Sequence, residues 1–162
     1  MRGCGGRYKG WRMKEVSIYV DTSIKGPRRR DGMCQYILSF QAANGKVADM
    51  GKRIIRKDTT ENQLTLLGLE GALRHLKVPC SLCLYLECIY VAAAISERWY
   101  EKWRYDGWMN AKNKPVCDAE IWQSIEYLLN AHEFEVRLKQ ENPYRDWMKR
   151  ELDRAQEKYG GA

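Results

Sequence analysis

The chain has 162 residues, a hydrophobic content of 44% and a formal net charge of +7. This length and composition fit one globular domain with a substantial core, and they exclude an extended disordered chain. No apolar run approaches the roughly 20 residues of a membrane helix, and the start is polar and glycine-rich rather than a secretory signal. We therefore expect a cytoplasmic protein with no membrane partner.

The positive charge is concentrated at the start of the chain. Residues 1–14 hold five basic side chains and no acid, so the remainder is nearly neutral. This predicts a basic, disordered segment over residues 1–14 and one domain over residues 15–159. The segment is either a functional basic arm or lies before the native start, which Met13 would supply. In the nearly neutral domain, any binding of phosphate has to come from local clusters of bases.

Hydrophobic periodicity and turn residues predict a mixed order of strands and helices. In chain order the pattern predicts strands over residues 16–21, 33–41 and 46–56, a helix over 60–77, a strand over 82–86, helices over 92–104 and 118–131, a strand over 134–138 and a last helix over 146–158. Asn44-Gly45 predicts a hairpin turn. Thr59 or Thr60 would cap the first helix and Asp118 the third. Early strands followed by alternating helices and strands indicate a mixed sheet covered by helices.

Two features of the composition suggest chemistry. Cys80 and Cys83 have a spacing typical of zinc ligands, but no second pair follows, so buried thiols in a reducing compartment are the favoured interpretation. Four of the six tryptophans fall within residues 99–122, with lysines and an arginine between them. Aromatic faces interleaved with cations are typical of surfaces that contact bases, sugars and phosphates.

Five motifs in order carry a resemblance to a known family. They are the strand that ends at Asp21, the run Asp58-Thr59-Thr60-Glu61-Asn62-Gln63-Leu64, the run Leu86-Glu87-Cys88-Ile89-Tyr90-Val91, the block Trp99–Trp122 and the run Glu141-Asn142-Pro143-Tyr144-Arg145-Asp146. Together they resemble type 1 ribonuclease H over roughly residues 15–157. The resemblance implies a ribonuclease H-like α/β fold, a five-stranded mixed sheet flanked by helices. It also implies hydrolysis of the RNA strand of an RNA–DNA hybrid with Mg²⁺ or Mn²⁺.

The family uses four carboxylates, since two closely spaced divalent ions need converging hard oxygen ligands. Asp21 matches the first, and Glu87 stands in the place of the fourth-strand aspartate with a side chain one methylene longer. Asp146 matches the last if Glu141-Asn142 is the anchor, whereas the alternative anchor puts Arg150 there. These matches make Asp21, Glu87 and Asp146 the candidate catalytic and metal-binding residues.

Two parts of that machinery are missing from the sequence. Thr65 stands where the family has the helix glutamate that bridges both ions, and a neutral hydroxyl is a poor ligand for Mg²⁺. Glu61 lies one turn earlier and could substitute, although a surface glutamate is the simpler interpretation. The catalytic loop histidine is also absent, because Lys139-Gln140-Glu141 replaces that loop. We therefore expect a degenerate site that needs Mg²⁺ or Mn²⁺ if it is active and holds no cofactor if it is not.

The binding surface implied by the resemblance is better preserved. Its candidate residues are Arg28, Arg29, Arg30, Thr60, Asn62, Trp99, Trp103, Trp108, Lys112 and Lys114. The tryptophans could equally pack on one another, and the arginines could be a solvated loop. Asp106 falls in what is usually a run of basic side chains in the family. Asp118 stands where an asparagine helps hold a phosphate, so both acids are expected to weaken phosphate binding.

Three functions remain open from the sequence. The first is an active ribonuclease H, and the second is a protein that binds RNA–DNA hybrid or duplex without cutting it. The third is an inactive fold used as a protein-interaction or inhibitor module acting on a nucleic-acid enzyme. Nucleic acid is the leading expected partner, and a protein partner is the alternative.

Overall fold

The structure is a computed structural model that describes residues 13–41 and 44–159. The predicted disordered segment lies outside the described residues over positions 1–12. In chain order the elements are β1 (Lys14–Thr22), β2 (Arg30–Gln41), β3 (Val47–Thr59), α1 (Glu61–Leu73), β4 (Cys80–Leu86), α2 (Ile89–Ser96), α3 (Trp99–Tyr105), α4 (Ala119–Leu129), β5 (Glu133–Leu138) and α5 (Arg145–Tyr159).

The five strands form one mixed sheet in the order β3-β2-β1-β4-β5. The first three are antiparallel neighbours, joined at the β2–β3 turn by a loop that contains Asn44 and Gly45, as the sequence predicts. β4 pairs parallel to β1, and β5 pairs parallel to β4, which requires the helical crossovers seen between them. The predicted α/β architecture, a five-stranded mixed sheet flanked by helices, is confirmed.

Two helical layers cover the sheet. The larger core lies under α1, α2 and α4, where Val20 and Leu84 of the central strands meet Leu66, Leu69 and Trp122. α5 covers the opposite face with Met148, against Tyr19 and Ile37, and with Leu152, against Met33. Because both faces of β1 are covered, the strand is buried almost throughout, and it delivers Asp21 to the edge of the sheet.

The helices differ from the sequence prediction in two places. α1 begins after Thr60, whose hydroxyl accepts a hydrogen bond from the Gln63 amide, but it ends at Leu73 rather than near residue 77. The helix predicted over residues 92–104 is two helices, α2 and α3, because Arg98 adopts a left-handed conformation with φ of 55°. Asp118 precedes α4 as predicted, yet its side chain makes no capping hydrogen bond. None of the helices in the described part of the chain combines the length and apolar character that a bilayer crossing requires.

Candidate active site and nucleic-acid interface

A cavity of about 680 Å³ opens where β1 and β4 end. These strands are parallel neighbours, so their carboxyl ends lie at the same edge, next to the first turn of α5. Three side chains singled out from the sequence, Asp21, Glu87 and Asp146, all line this cavity. Arg150, the alternative to Asp146, is not among the lining residues. The structure therefore brings the three candidate carboxylates together.

Asp21 is held by groups of its own loop. Its side chain is 9% exposed, and its Oδ1 accepts hydrogen bonds from the Thr22 amide at 2.8 Å and from the Lys25 ammonium at 2.5 Å. Lys25 also lies 3.3 Å from the Thr22 hydroxyl. The carboxylate at the end of β1 is thus already paired with a cation from the chain.

Glu87 is held more completely, by an arginine of α5. Arg145 donates from Nε to Oε2 at 3.0 Å and from a terminal nitrogen to Oε1 at 3.1 Å, so both carboxylate oxygens are engaged. A second terminal nitrogen reaches Glu141 at 3.0 Å. The hydrogen bond to Glu87, and after it the one to Glu141, raises the pKa of Arg145. Parallel bonds of this kind are the strongest geometry available to an arginine–carboxylate pair.

Asp146 completes the cavity from the first turn of α5. Unlike Asp21 and Glu87, it makes no ion pair with any of the described residues. Lys139 and Lys149 also line the cavity, and Lys149 lies 3.4 Å from Asp153. The lining residues include five carboxylates and four cationic side chains, so protein cations offset most of the negative charge.

Thr65 lies inside α1 and is not among the residues that line the cavity. Its side chain is buried, and its hydroxyl donates a hydrogen bond to the Glu61 carbonyl at 2.8 Å. Glu61 lines the cavity, but its Oε1 accepts a hydrogen bond from the Gly26 amide at 2.9 Å. Glu61 therefore anchors the loop after β1 to the start of α1. This contact gives Glu61 a structural role besides its place in the cavity lining.

The donor set does not fit a two-ion site. Within residues 13–41 and 44–159, no group of three or more His, Cys, Asp or Glu side chains is arranged to hold a metal ion. Asp21 is paired with Lys25, and Glu87 is paired with Arg145. Position 65 of α1 carries a hydroxyl in place of a carboxylate. Only Asp146, among the three candidate ligands, keeps an unpaired carboxylate.

The loop after β1 carries the three consecutive arginines, all exposed. Arg29 is bound to β3, since it donates hydrogen bonds to the Asp58 carboxylate at 3.1 Å and to the Asp58 carbonyl. Arg30 is the first residue of β2. Arg28 makes no hydrogen bond or ion pair with the described residues, so its guanidinium is available to a ligand.

The residues at the start of α1 have structural partners. The Thr60 hydroxyl caps the helix, and the Asn62 Oδ1 lies 3.1 Å from the Cys88 thiol. Burial raises the pKa of that thiol. Asn62 lines the cavity, whereas Thr60 does not.

The tryptophans form one aromatic cluster, as the packing interpretation predicts. Trp103 is central: its ring centroid lies 6.3 Å from Trp99, 6.3 Å from Trp108 and 5.3 Å from Trp122. Trp122 is buried, but the other three keep part of their surface exposed. The cluster is therefore both the support of this region and a source of partly exposed aromatic surface.

The turn beyond α3 presents the two expected lysines. The Asn110 Oδ1 accepts hydrogen bonds from the amides of Lys112 at 2.9 Å and Lys114 at 3.0 Å, and Met109 pairs with Pro115 across the turn. Both lysine side chains are exposed and make no ion pair with the described residues. They are positioned by their backbone and free to contact a phosphate.

The two acids expected to weaken binding are both engaged. Asp106, the residue after α3, pairs with Lys102 at 2.7 Å. The Asp118 Oδ1 accepts a hydrogen bond from the Gln63 side chain at 2.9 Å, which joins α4 to the start of α1. Asp118 therefore has a structural role that the sequence did not suggest.

Sequence reasoning missed Lys25 and Arg145 as members of the site. Lys25 follows Asp21 by four residues, and Arg145 precedes Asp146 directly, so their proximity in the sequence was a usable signal. Both histidines lie elsewhere: His75 contacts the Tyr36 hydroxyl at 2.9 Å, and His132 accepts the Cys80 amide at 3.0 Å.

The family model for RNase H matches residues 13–138, which ends with β5 and leaves α5 outside the match. A ribonuclease H of Acetivibrio thermocellus is 34% identical over 120 residues, covering 74% of this chain and 78% of that protein. A ribonuclease H of Brucella ovis is 41% identical over 120 residues, covering 74% and 73%.

Similar solved structures share the fold at lower identity. LC9-RNase H1, described as a type 1 RNase H with the type 2 active-site motif, superposes with a TM-score of 0.72 at 18% identity, over 89% of this chain and 72% of that one. A foamy viral protease–reverse transcriptase in complex with RNA/DNA hybrid gives a TM-score of 0.63 at 16% identity, over 91% of this chain and 20% of that one.

Proposed function

Because this chain belongs to the ribonuclease H family, as a type 1-like member, we propose that it binds RNA–DNA hybrid and hydrolyses it weakly or not at all. The observation that carries the proposed loss of hydrolysis is the side chain at position 65 of α1. Position 65 is a buried threonine whose hydroxyl donates a hydrogen bond to the Glu61 carbonyl. No carboxylate is therefore present at that position to bridge two ions.

Several surface groups support nucleic-acid binding. Lys112 and Lys114 are exposed on a turn fixed by Asn110, and Arg28 is exposed and makes no ion pair with the described residues. Partly exposed tryptophans lie beside the lysines. Unpaired cations release counterions when they meet phosphates, and aromatic faces stack on sugars or bases. Hybrid is the favoured ligand because the family model and the curated relatives are those of ribonuclease H. The foamy viral neighbours are described in complex with RNA/DNA hybrid and with dsDNA.

The longer arm at position 87 adds to the expected loss of rate. Glu87 carries the charge one methylene further than an aspartate would, and misplacement of a catalytic group by about 1 Å can cost roughly a hundredfold in rate. The absent loop histidine removes a group for proton transfer. Mg²⁺ or Mn²⁺ would be needed for any residual hydrolysis.

The test is to measure binding and turnover on the same labelled RNA–DNA hybrid. We expect binding that falls steeply as salt rises, with little or no cleavage in Mg²⁺ or Mn²⁺. Any cleavage that is found should be lost in Asp21→Asn. Turnover at the rate of an ordinary ribonuclease H assayed beside it would refute the loss of hydrolysis. If hybrid, duplex and single strands all failed to bind, the proposal would be wrong, and the protein-interaction alternative would remain.

A further inference from the structure

The charges around the candidate ligands are balanced by the protein itself. Glu87 and Arg145 meet through two hydrogen bonds of 3.0 and 3.1 Å, and the two side chains are 18% and 29% exposed. Asp21 and Lys25 meet at 2.5 Å, with the carboxylate 9% exposed. Two of the three candidate ligands are therefore ion-paired before any ligand arrives.

A cation that approached Glu87 would have to break an existing contact. Arg145 engages both oxygens of that carboxylate, so neither retains its full charge for another cation. Separating such a partly buried pair leaves two charges to be solvated or paired again, which is costly. Arg145 could still keep Glu141, but it would lose the bidentate bond that is the stronger of its two contacts.

The cations at the site come from two separate elements. Position 65 carries a neutral hydroxyl, and Lys25 and Arg145 each place a positive charge against one of the candidate acids. Lys25 lies on the loop after β1 and Arg145 at the start of α5, so the offset of negative charge does not depend on a single segment.

We propose that Arg145, assisted by Lys25, acts as an internal counter-ion that holds the acids of the cavity in a metal-independent state. This inference rests on the proposed function, because it explains how the site persists without hydrolysis. It has two consequences. Binding of hybrid does not require a divalent ion, and restoring a glutamate at position 65 is insufficient by itself to restore cation binding.

The experiment measures Mn²⁺ binding directly, by the decrease of the free Mn²⁺ signal in electron paramagnetic resonance. The proteins are the full-length parent, Thr65→Glu, Arg145→Gln and the double variant Thr65→Glu/Arg145→Gln. Arg154→Gln is the matched control, because Arg154 lies on the same helix and pairs with Glu151 at 2.7 Å, away from the cavity. Circular dichroism establishes that each protein is folded.

We expect the parent, Thr65→Glu and Arg154→Gln to bind Mn²⁺ weakly and alike. Arg145→Gln should bind at least about tenfold more tightly, since the ion no longer displaces a pair, and the double variant should bind more tightly again. Arg145→Lys should fall between the parent and Arg145→Gln, because lysine keeps the charge but loses the planar fork. If Arg145→Gln did not fold, Arg145→Lys would be compared with the parent. Tighter Mn²⁺ binding by Arg145→Lys would then support the inference, and equal binding would contradict it.

Two results would overturn the inference. One is a parent that binds Mn²⁺ as tightly as the double variant. The other is a Thr65→Glu variant that alone binds as tightly as the double variant. Hybrid binding by the parent is measured separately, in EDTA and in Mg²⁺. Equal affinity in both supports the inference, and loss of binding in EDTA contradicts it. Absence of hybrid binding in both conditions refutes the proposed function instead.

Discussion

The contact between α1 and β1 positions two walls of the cavity, and Gly68 is a point of close approach between them. A Cβ atom added at Gly68 would lie 2.8 Å from Val20 Cγ1 and 3.3 Å from Cys34 Sγ. Val20 is buried and directly precedes Asp21, and a valine in a strand has little rotamer freedom to move aside. The helix therefore needs a residue without a side chain here to lie this near the sheet.

Gly68→Ala tests this requirement, because two effects of opposite sign compete. Alanine in a helix interior is about 1 kcal/mol more favourable than glycine. Forcing an extra methyl into a packed core costs about 1–3 kcal/mol, and a 2.8 Å approach to a stiff side chain should lie near the upper end. We expect a net loss of about 2 kcal/mol in the free energy of unfolding, or about 4–8 °C in Tm.

Urea denaturation of Gly68→Ala, Val20→Ala and the double variant measures the effect. In the double variant the alanine methyl enters the space that Val20 vacates. The loss of stability in the double variant should therefore be smaller than the sum of the two single losses by at least about 1 kcal/mol. Strict additivity would show that Val20 is not what excludes a side chain at position 68. A Gly68→Ala protein more stable than the parent would show that helix propensity outweighs packing, and it would refute the reasoning.

Three further outcomes follow from the structure. Trp122→Ala should lower the free energy of unfolding by about 3–5 kcal/mol in urea denaturation, because this buried ring supports the tryptophan cluster; a loss under about 1 kcal/mol would contradict that role. Lys112→Gln with Lys114→Gln should weaken hybrid binding at every sequence and reduce the slope of log affinity against log salt by about two; an unchanged slope would place the interface elsewhere. Burial lowers the pKa of His132 below its ordinary value of 6.5, so the folded state favours the neutral ring that accepts the Cys80 amide. Its contribution should be complete above about pH 6.5 and be lost as pH falls from there through the lowered pKa. His132→Asn should flatten that part of the Tm–pH profile, and an identical profile would refute the assignment.

The sequence by itself determined the elements of the fold and their order. Alternating apolar residues located β1, and leucine spacing located α1, because both periodicities are local properties of the chain. The five ordered motifs indicated the family, which the family model and the curated relatives confirm. Helix ends were less accurate, since the break at Arg98 depends on a left-handed backbone conformation that no periodicity signals.

The tertiary structure alone decided the electrostatic state of the site. Glu87 and Arg145 are 58 residues apart, and their bidentate contact exists because β4 ends and α5 begins at the same edge of the sheet. The same holds for Gln63 and Asp118, which are 55 residues apart. Sequence named the carboxylates, but which of them are free depends on distances of a few ångströms between elements that the chain order does not place side by side.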